Sequence, residues 1–265
     1  MSMLIRKWIE KWRSYRYRFV PWIALNLRKR TVREVGSTDQ DKTVPDTKVI
    51  ESLLTVLHAL HDIETQSAND RHQSGVMYNT LGYEIKRLES SIPGAGKGVF
   101  VTKGDIPVGS LVALYPGTIY WPYEPILIQS VGNPFVFRCI DGILIDGNDK
   151  GLSKMIYRSS ARRDQIGPYL LCDTTWLTND PQNPLAVGQY INNRTKNKPA
   201  NVAYQEVDIP LQSVAPKLWK YLPNVWYSSG NIAGENSFLR IIALVSVCKI
   251  CEGDEVLSSY FTVVN

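Results

Sequence analysis

Six short runs govern what this chain can fold into: VFV at 99–101, SLVALYPGTIY at 110–120, FVFRCIDGILID at 135–146, ANVAYQEVDI at 200–209, LRIIALVSV at 239–247 and EVLSSYF at 255–261. Each is rich in β-branched and aromatic residues and is soon broken or bounded by Gly, Pro or Asp. That texture favours strands on a pleated, half-buried surface over helices. The stretch 83–261 therefore reads as a mainly β domain of small antiparallel sheets, with an irregular insert at about 147–185 where no regular pattern is visible. No internal repeat appears. Residues 262–265 are expected to be a short tail.

Upstream the pattern changes period. From Asp46, Val49, Ile50, Leu53, Leu54, Leu57 and Leu60 recur on one face, which predicts an amphipathic helix of four or five turns. Together with the linker-like VGSTDQDKTVPD before it, this makes 34–82 a linker and helical region ahead of the β domain. Ile5, Trp8, Ile9, Trp12 and Tyr15 stand at helical spacing among arginines, so 1–33 reads as a basic amphipathic segment. It resembles a targeting sequence, mitochondrial by composition with a nuclear or cytoplasmic location as the alternative, or a membrane-surface helix; the structural reading is a helix docked on an acidic domain.

The net charge of +5 hides a division. Residues 1–33 hold ten Lys or Arg against Glu10 alone, whereas the other 232 residues hold 20 basic and 24 acidic side chains. A body at −4 argues against a nucleic-acid groove and suits a cationic partner. Four cysteines in 265 residues are too few for a disulfide scaffold, so a reducing, intracellular setting is expected. No apolar run is long enough to cross a membrane.

Three local motifs invite chemistry. GAGKGVF at 94–100 fails as a phosphate-binding loop, because Gly98 stands where Ser or Thr is needed. It fails as a dinucleotide fingerprint too, since the strand follows the glycines instead of preceding them. What remains is a glycine loop entering a strand, either a plain turn or a place where backbone approaches a ligand. CKIC at 248–251 lacks a second ligand pair, and His58 and His61 on the predicted helix lack a completing carboxylate or cysteine. No metal is expected.

Order says more than any one motif. A glycine loop, then YPG at 115–117, then INN at 191–193 with Asn201 behind it, then EGDEVLSSY closing on Tyr260, resembles the SET-domain family of protein lysine methyltransferases over about 94–261. In that alignment Gly96-Lys97-Gly98 matches the family's G-x-G loop, and Asn192, Asn193 and Asn201 fall on its Asn-His…Asn motif. Gly253, Glu255 and Tyr260 fall on its final Gly…Tyr motif. Asn193 stands where the family has His, Leu114 where it has Glu before the second-strand Tyr, and Ser259 where it has Asp. The spacing from Asn193 to Asn201 is three residues longer, and no cysteine-rich segment is expected after Tyr260.

The resemblance implies a knot-like crossing of two chain segments near the C-terminus, S-adenosylmethionine as cofactor and a protein lysine as methyl acceptor. It implies cofactor contacts from Gly96, Lys97, Gly98, Asn192, Asn193 and Tyr260, with Tyr260 and Tyr115 as the catalytic residues. Asn192 would bond the cofactor or lock the crossing. Gly98→Val would block cofactor approach without unfolding the domain. The alternative implied by the three departures is a SET-like module that binds cofactor or protein without turnover.

Overall fold

The computed structural model describes residues 15–18, 32–37, 41–66, 75–163, 170–228 and 237–264. Among them the order of elements is β1 (Tyr15–Arg18), β2 (Val32–Val35), α1 (Asp46–Gln66), α2 (Val76–Leu81), β3 (Glu84–Glu89), β4 (Lys97–Lys103), β5 (Leu111–Tyr115), β6 (Gly117–Tyr120), α3 (Leu127–Ser130), β7 (Val136–Arg138), β8 (Leu144–Asp146), α4 (Gly151–Arg163), β9 (Asn192–Asn193), β10 (Val202–Pro210), β11 (Asn224–Trp226), β12 (Phe238–Ser246), β13 (Glu255–Ser258) and β14 (Phe261–Val264). The helix expected from Asp46 is 21 residues long, about six turns. Its buried face is Val49, Leu53, Val56, Leu57 and Leu60, which keeps the periodic stripe and adds Val56.

The strands form two sheets. One runs β11-β6-β8-β7-β1-β14-β2, and the other runs β3-β4-β13-β10-β12-β5 with β9 paired to β13. The long β10–β12 hairpin, Val202↔Ser246 to Pro210↔Phe238, is antiparallel along its length. β5 lies beside β12 and is buried at every position, as its unbroken apolar run LVALY demands. α1 packs on β5 and β10, covering one face of this sheet. The resulting core joins Val49 and Leu57 of α1 to Val99, Val112, Ile242 and Val256 of the strands.

Parallel pairings gather at the C-terminal end. β13 runs parallel to β9 (Leu257↔Asn192, Ser258↔Asn193) and to β10 (Val202↔Ser258), while pairing antiparallel with β4 (Glu255↔Phe100). A hairpin cannot make such parallel neighbours. β13 must therefore be laid between segments formed far earlier in the chain, which fits the crossing that the resemblance implied.

Three expectations need correcting. The supposed irregular insert contains α4, whose buried positions Ser153, Tyr157, Ser160 and Ala161 carry mostly small or polar side chains, so no apolar period marks it in the sequence. The C-terminal residues are no free tail, because β14 pairs antiparallel with β1 and parallel with β2. The helical reading of the basic segment fails at its end, since Tyr15–Arg18 is a strand filling the gap between β7 and β14. The rest of that helical pattern and the targeting reading lie outside the described residues.

Candidate active site

The site is built around β13. Asn201, just ahead of β10, holds this strand by its backbone: Nδ2 donates to the Glu255 carbonyl at 2.9 Å, and Oδ1 accepts from Leu257 N at 2.8 Å. An amide side chain can do both at once. On the other side, Ser258 Oγ donates to the Tyr204 hydroxyl at 3.0 Å and Arg194 N donates to the Ser258 carbonyl at 2.8 Å. The two adjacent asparagines complete the lock. Asn192 Nδ2 donates to the Lys97 carbonyl at 2.9 Å, and Asn193 Oδ1 accepts from Tyr260 N at 3.1 Å. Glycine loop, paired asparagines, β13 and the Tyr260 that follows it are thus one hydrogen-bonded unit.

Glu255 is its electrostatic centre. Only 7% exposed, its carboxylate accepts from Ser90 Oγ at 2.6 Å, Ser91 N at 3.1 Å, Ser91 Oγ and Asn192 Nδ2 at 3.4 Å. Burial by itself would raise the carboxyl pKa; the hydrogen bonds from Ser90, Ser91 and Asn192 outweigh it and hold the value below the ordinary carboxylate range. The sequence reading used Glu255 only as a register mark. No local signal points to its partners, because Ser90 and Ser91 stand more than 160 residues away along the chain.

The two loop glycines differ. A side chain at Gly96 would meet nothing within 4 Å, but φ there is +72°, a conformation that L side chains rarely adopt. Gly96 therefore offers open backbone, as close approach by a ligand requires. Gly98 faces inward. Its Cβ would lie 2.4 Å from Glu255 Oε1 and 3.3 Å from the Cα of Ser90. This corrects the expectation for Gly98→Val: the substitution meets the Glu255 carboxylate and disturbs the fold at the same stroke. Lys97 is exposed, with its ammonium 2.5 Å from Glu89 Oε1.

Of the two expected tyrosines, Tyr260 is half-buried at the crossing and is held by its backbone. Tyr115 is fully buried, and its hydroxyl donates to the Phe135 carbonyl at 2.8 Å. Its ring meets Phe137 at 5.6 Å and Tyr204 edge-on at 6.5 Å between centroids. Tyr115 is thus linked to the β13 unit through Tyr204, a buried residue that the sequence reading passed over. The signal for Tyr204 was its place three residues beyond Asn201 in a strand-like run.

Leu114, in the position of the family's Glu, is buried and donates its backbone N–H to the Leu185 carbonyl. The 3₁₀ turn Gly188–Tyr190 packs against β4 and β5 immediately before the asparagines. Within it Gln189 is 2% exposed, and neither atom of its amide has a partner among the described residues. A buried unbonded amide is costly, and one in a turn packed against β4, the strand that the glycine loop enters, suits a site that takes a polar ligand. That is the structural ground on which a nucleoside-bearing cofactor fits here.

The remaining motif residues stand apart. Cys248 and Cys251 are exposed, and Cys139 and Cys172 are buried. Among the described residues, ligand-type atoms of Cys139, Asp141 and Glu206 lie within 4.8 Å of one another. The Arg240 guanidinium already supplies positive charge there, at 2.9 Å from Asp141 and 3.3 Å from Glu206. No helix among the described residues is long and apolar enough to cross a membrane.

A glycine loop at the head of one strand, an Asn pair locking a later strand into parallel contact, and a tyrosine just beyond it define a SET-type domain. Comparison with known proteins agrees. The chain is 45% identical over 301 aligned positions to human SET domain-containing protein 9, covering 99% of each chain. It is 43% identical to the protein of the same name from Pongo abelii, over 89% of this chain and 97% of that one. The chain belongs to the SET domain-containing protein 9 family. No protein-family model matches it. Remote solved structures include ctPRC2 bound to S-adenosylmethionine (12% identity, TM-score 0.38, 88% of this chain and 23% of that one). Another is CpSET8 from Cryptosporidium (10% identity, TM-score 0.36, 96% and 94%). Overlaps this weak carry no weight for the site.

Proposed function

We propose that this chain is an S-adenosylmethionine-dependent protein lysine N-methyltransferase. The observation that carries the reading is the single hydrogen-bonded unit joining Lys97, Asn192, Asn193, Glu255 and Tyr260. Gly96 and its neighbours would hold the cofactor against open backbone, with Gln189 offering an unbonded amide. When bound, S-adenosylmethionine supplies an activated methyl on a sulfonium. Methyl transfer to an amine then needs alignment more than acid, base or metal.

The chain's own residues would do three things. Asn193 fixes the backbone of Tyr260, which orients the phenol toward the acceptor amine. Tyr115 and Tyr204 supply buried aromatic wall, which excludes water and so disfavours the ammonium form of lysine, whose ordinary pKa is about 10.4. Glu255 keeps the glycine loop and β13 in register. The absence of His from the β domain costs this chemistry nothing.

The test is transfer of labelled methyl from S-adenosylmethionine to protein in a lysate by the full chain. Incorporation at lysine supports the proposal. Cofactor binding at one equivalent with no transfer to any protein would favour the binding-module alternative, for which the departures at Asn193, Leu114 and Ser259 are the motive.

A further inference from the structure

We infer that a basic pocket next to Tyr260 binds an anionic side chain flanking the target lysine of the methyl acceptor. This rests on the methyl-transfer reading for the word acceptor, but the pocket stands on its own geometry. Its volume is about 270 Å³, and its wall includes Arg33, Arg194, Ala200, Tyr204, Ser259 and Thr262. Ser259 immediately precedes Tyr260, and Tyr204 is bonded to Ser258, so one side of the pocket is the short connection after β13 that leads into the candidate tyrosine. Another side is β2, which brings Arg33 opposite Thr262.

The charge is one-sided. Two arginines and no Asp or Glu line the pocket among the described residues, although the body of the chain is net acidic. Arg33 is committed, with Nη1 2.6 Å from Asp41 Oδ1. Arg194 is anchored only through its backbone to Ser258, while its side-chain Nε is shielded from water and has no partner among the described residues. Its Nε–H is a shielded donor with no acceptor among the described residues, and the planar fork of a guanidinium matches a two-oxygen anion. The acidic body would draw a cationic substrate by its field. The pocket adds a local requirement for negative charge beside the lysine, which discriminates among lysines. A carboxylate and a phosphoryl group share this chemistry.

The experiment uses the full chain with saturating cofactor and an array of Lys-centred peptides. Each flanking position is varied through Glu, phosphoserine, Gln and Lys, and binding is read directly. The wild type is expected to favour an anion at one flanking position by about tenfold over Gln, as one charge-assisted hydrogen bond implies. Preference for Glu over phosphoserine assigns the carboxylate source, and the reverse assigns the phosphoryl source. Arg194→Gln should reduce the preference to within about twofold, and Arg194→Lys should restore part of it. Ala200→Glu, which sets a carboxylate on the pocket wall, should abolish it without relying on loss of Arg194. Equal or absent binding across the four residues overturns the inference. So does an Arg194→Gln variant that loses cofactor affinity while keeping the peptide preference, since the pocket then serves the cofactor. Because binding is read without turnover, acidic-peptide preference with no methyl transfer would refute the enzymatic reading and leave the pocket standing.

Discussion

Replacing Gly98 by Ala tests whether Glu255 is pinned. The added Cβ would fall 2.4 Å from Glu255 Oε1, so the carboxylate must withdraw by roughly 1 Å to reach ordinary contact. A free Glu side chain would swing aside at little cost. Here Oε1 holds Ser90 Oγ and Asn192 Nδ2, and bonds to a charged acceptor contribute about 1.5–3 kcal/mol each. Replacing a strand glycine returns about 0.5–1 kcal/mol. The net expectation is a loss of about 2–5 kcal/mol, a large share of a typical domain's stability. In a Glu255→Ala background the obstacle is gone, and the nearest remaining atom of the three closest is Ser90 Cα at 3.3 Å. There Gly98→Ala should be neutral or stabilising by up to about 1 kcal/mol. Urea denaturation of wild type, both single variants and the double variant gives the coupling, expected at about 2 kcal/mol or more with unchanged m-values. Additivity within about 0.5 kcal/mol would show that the carboxylate is not held as described.

Tyr260→Phe keeps the ring, so cofactor binding and melting temperature should barely change, while methyl transfer falls on the order of 10²–10³-fold; joint loss of stability and activity would make the residue merely structural. Asn201→Ala removes the clamp on β13 and should cost about 2–3 kcal/mol in denaturant titration, with a value below about 0.5 kcal/mol refuting the clamp. The Glu255 pKa lies below its unfolded value, so its contribution is full above the unfolded pKa and is lost as pH falls through the folded one; Glu255→Gln should flatten the acid limb of a stability–pH curve. Asp173 runs the other way. Burial pushes its carboxyl up to about 6 against the hydrogen bonds from Thr175 that lower it, so its ionisation weakens the fold as pH rises from the unfolded value toward 6. Asp173→Asn should therefore gain stability over wild type at pH 8, and a gain unchanged at pH 3.5 would refute that cause.

Local sequence pattern was enough to mark the first long helix and most strands of the β domain, but not α4, β1 or β14. Short β-branched and aromatic runs marked strands between Val99 and Phe261, and the helical stripe from Val49 to Leu60 marked α1, because both signals are local. Motif order carried the SET resemblance, since Gly96, Asn192, Asn201 and Tyr260 keep their succession whatever the loops between them do. Tertiary structure alone decided which of these residues meet and through which atoms. That Asn193 accepts from Tyr260 N, that Glu255 gathers Ser90, Ser91 and Asn192, and that Gly98 faces a carboxylate instead of open space all depend on β13 entering between β4, β9 and β10. Parallel pairing between segments more than 50 residues apart leaves no local trace, because either partner reads simply as a short strand. The same holds for the pocket of Arg33 and Arg194: two arginines 161 positions apart become neighbours only when β2 closes on β14.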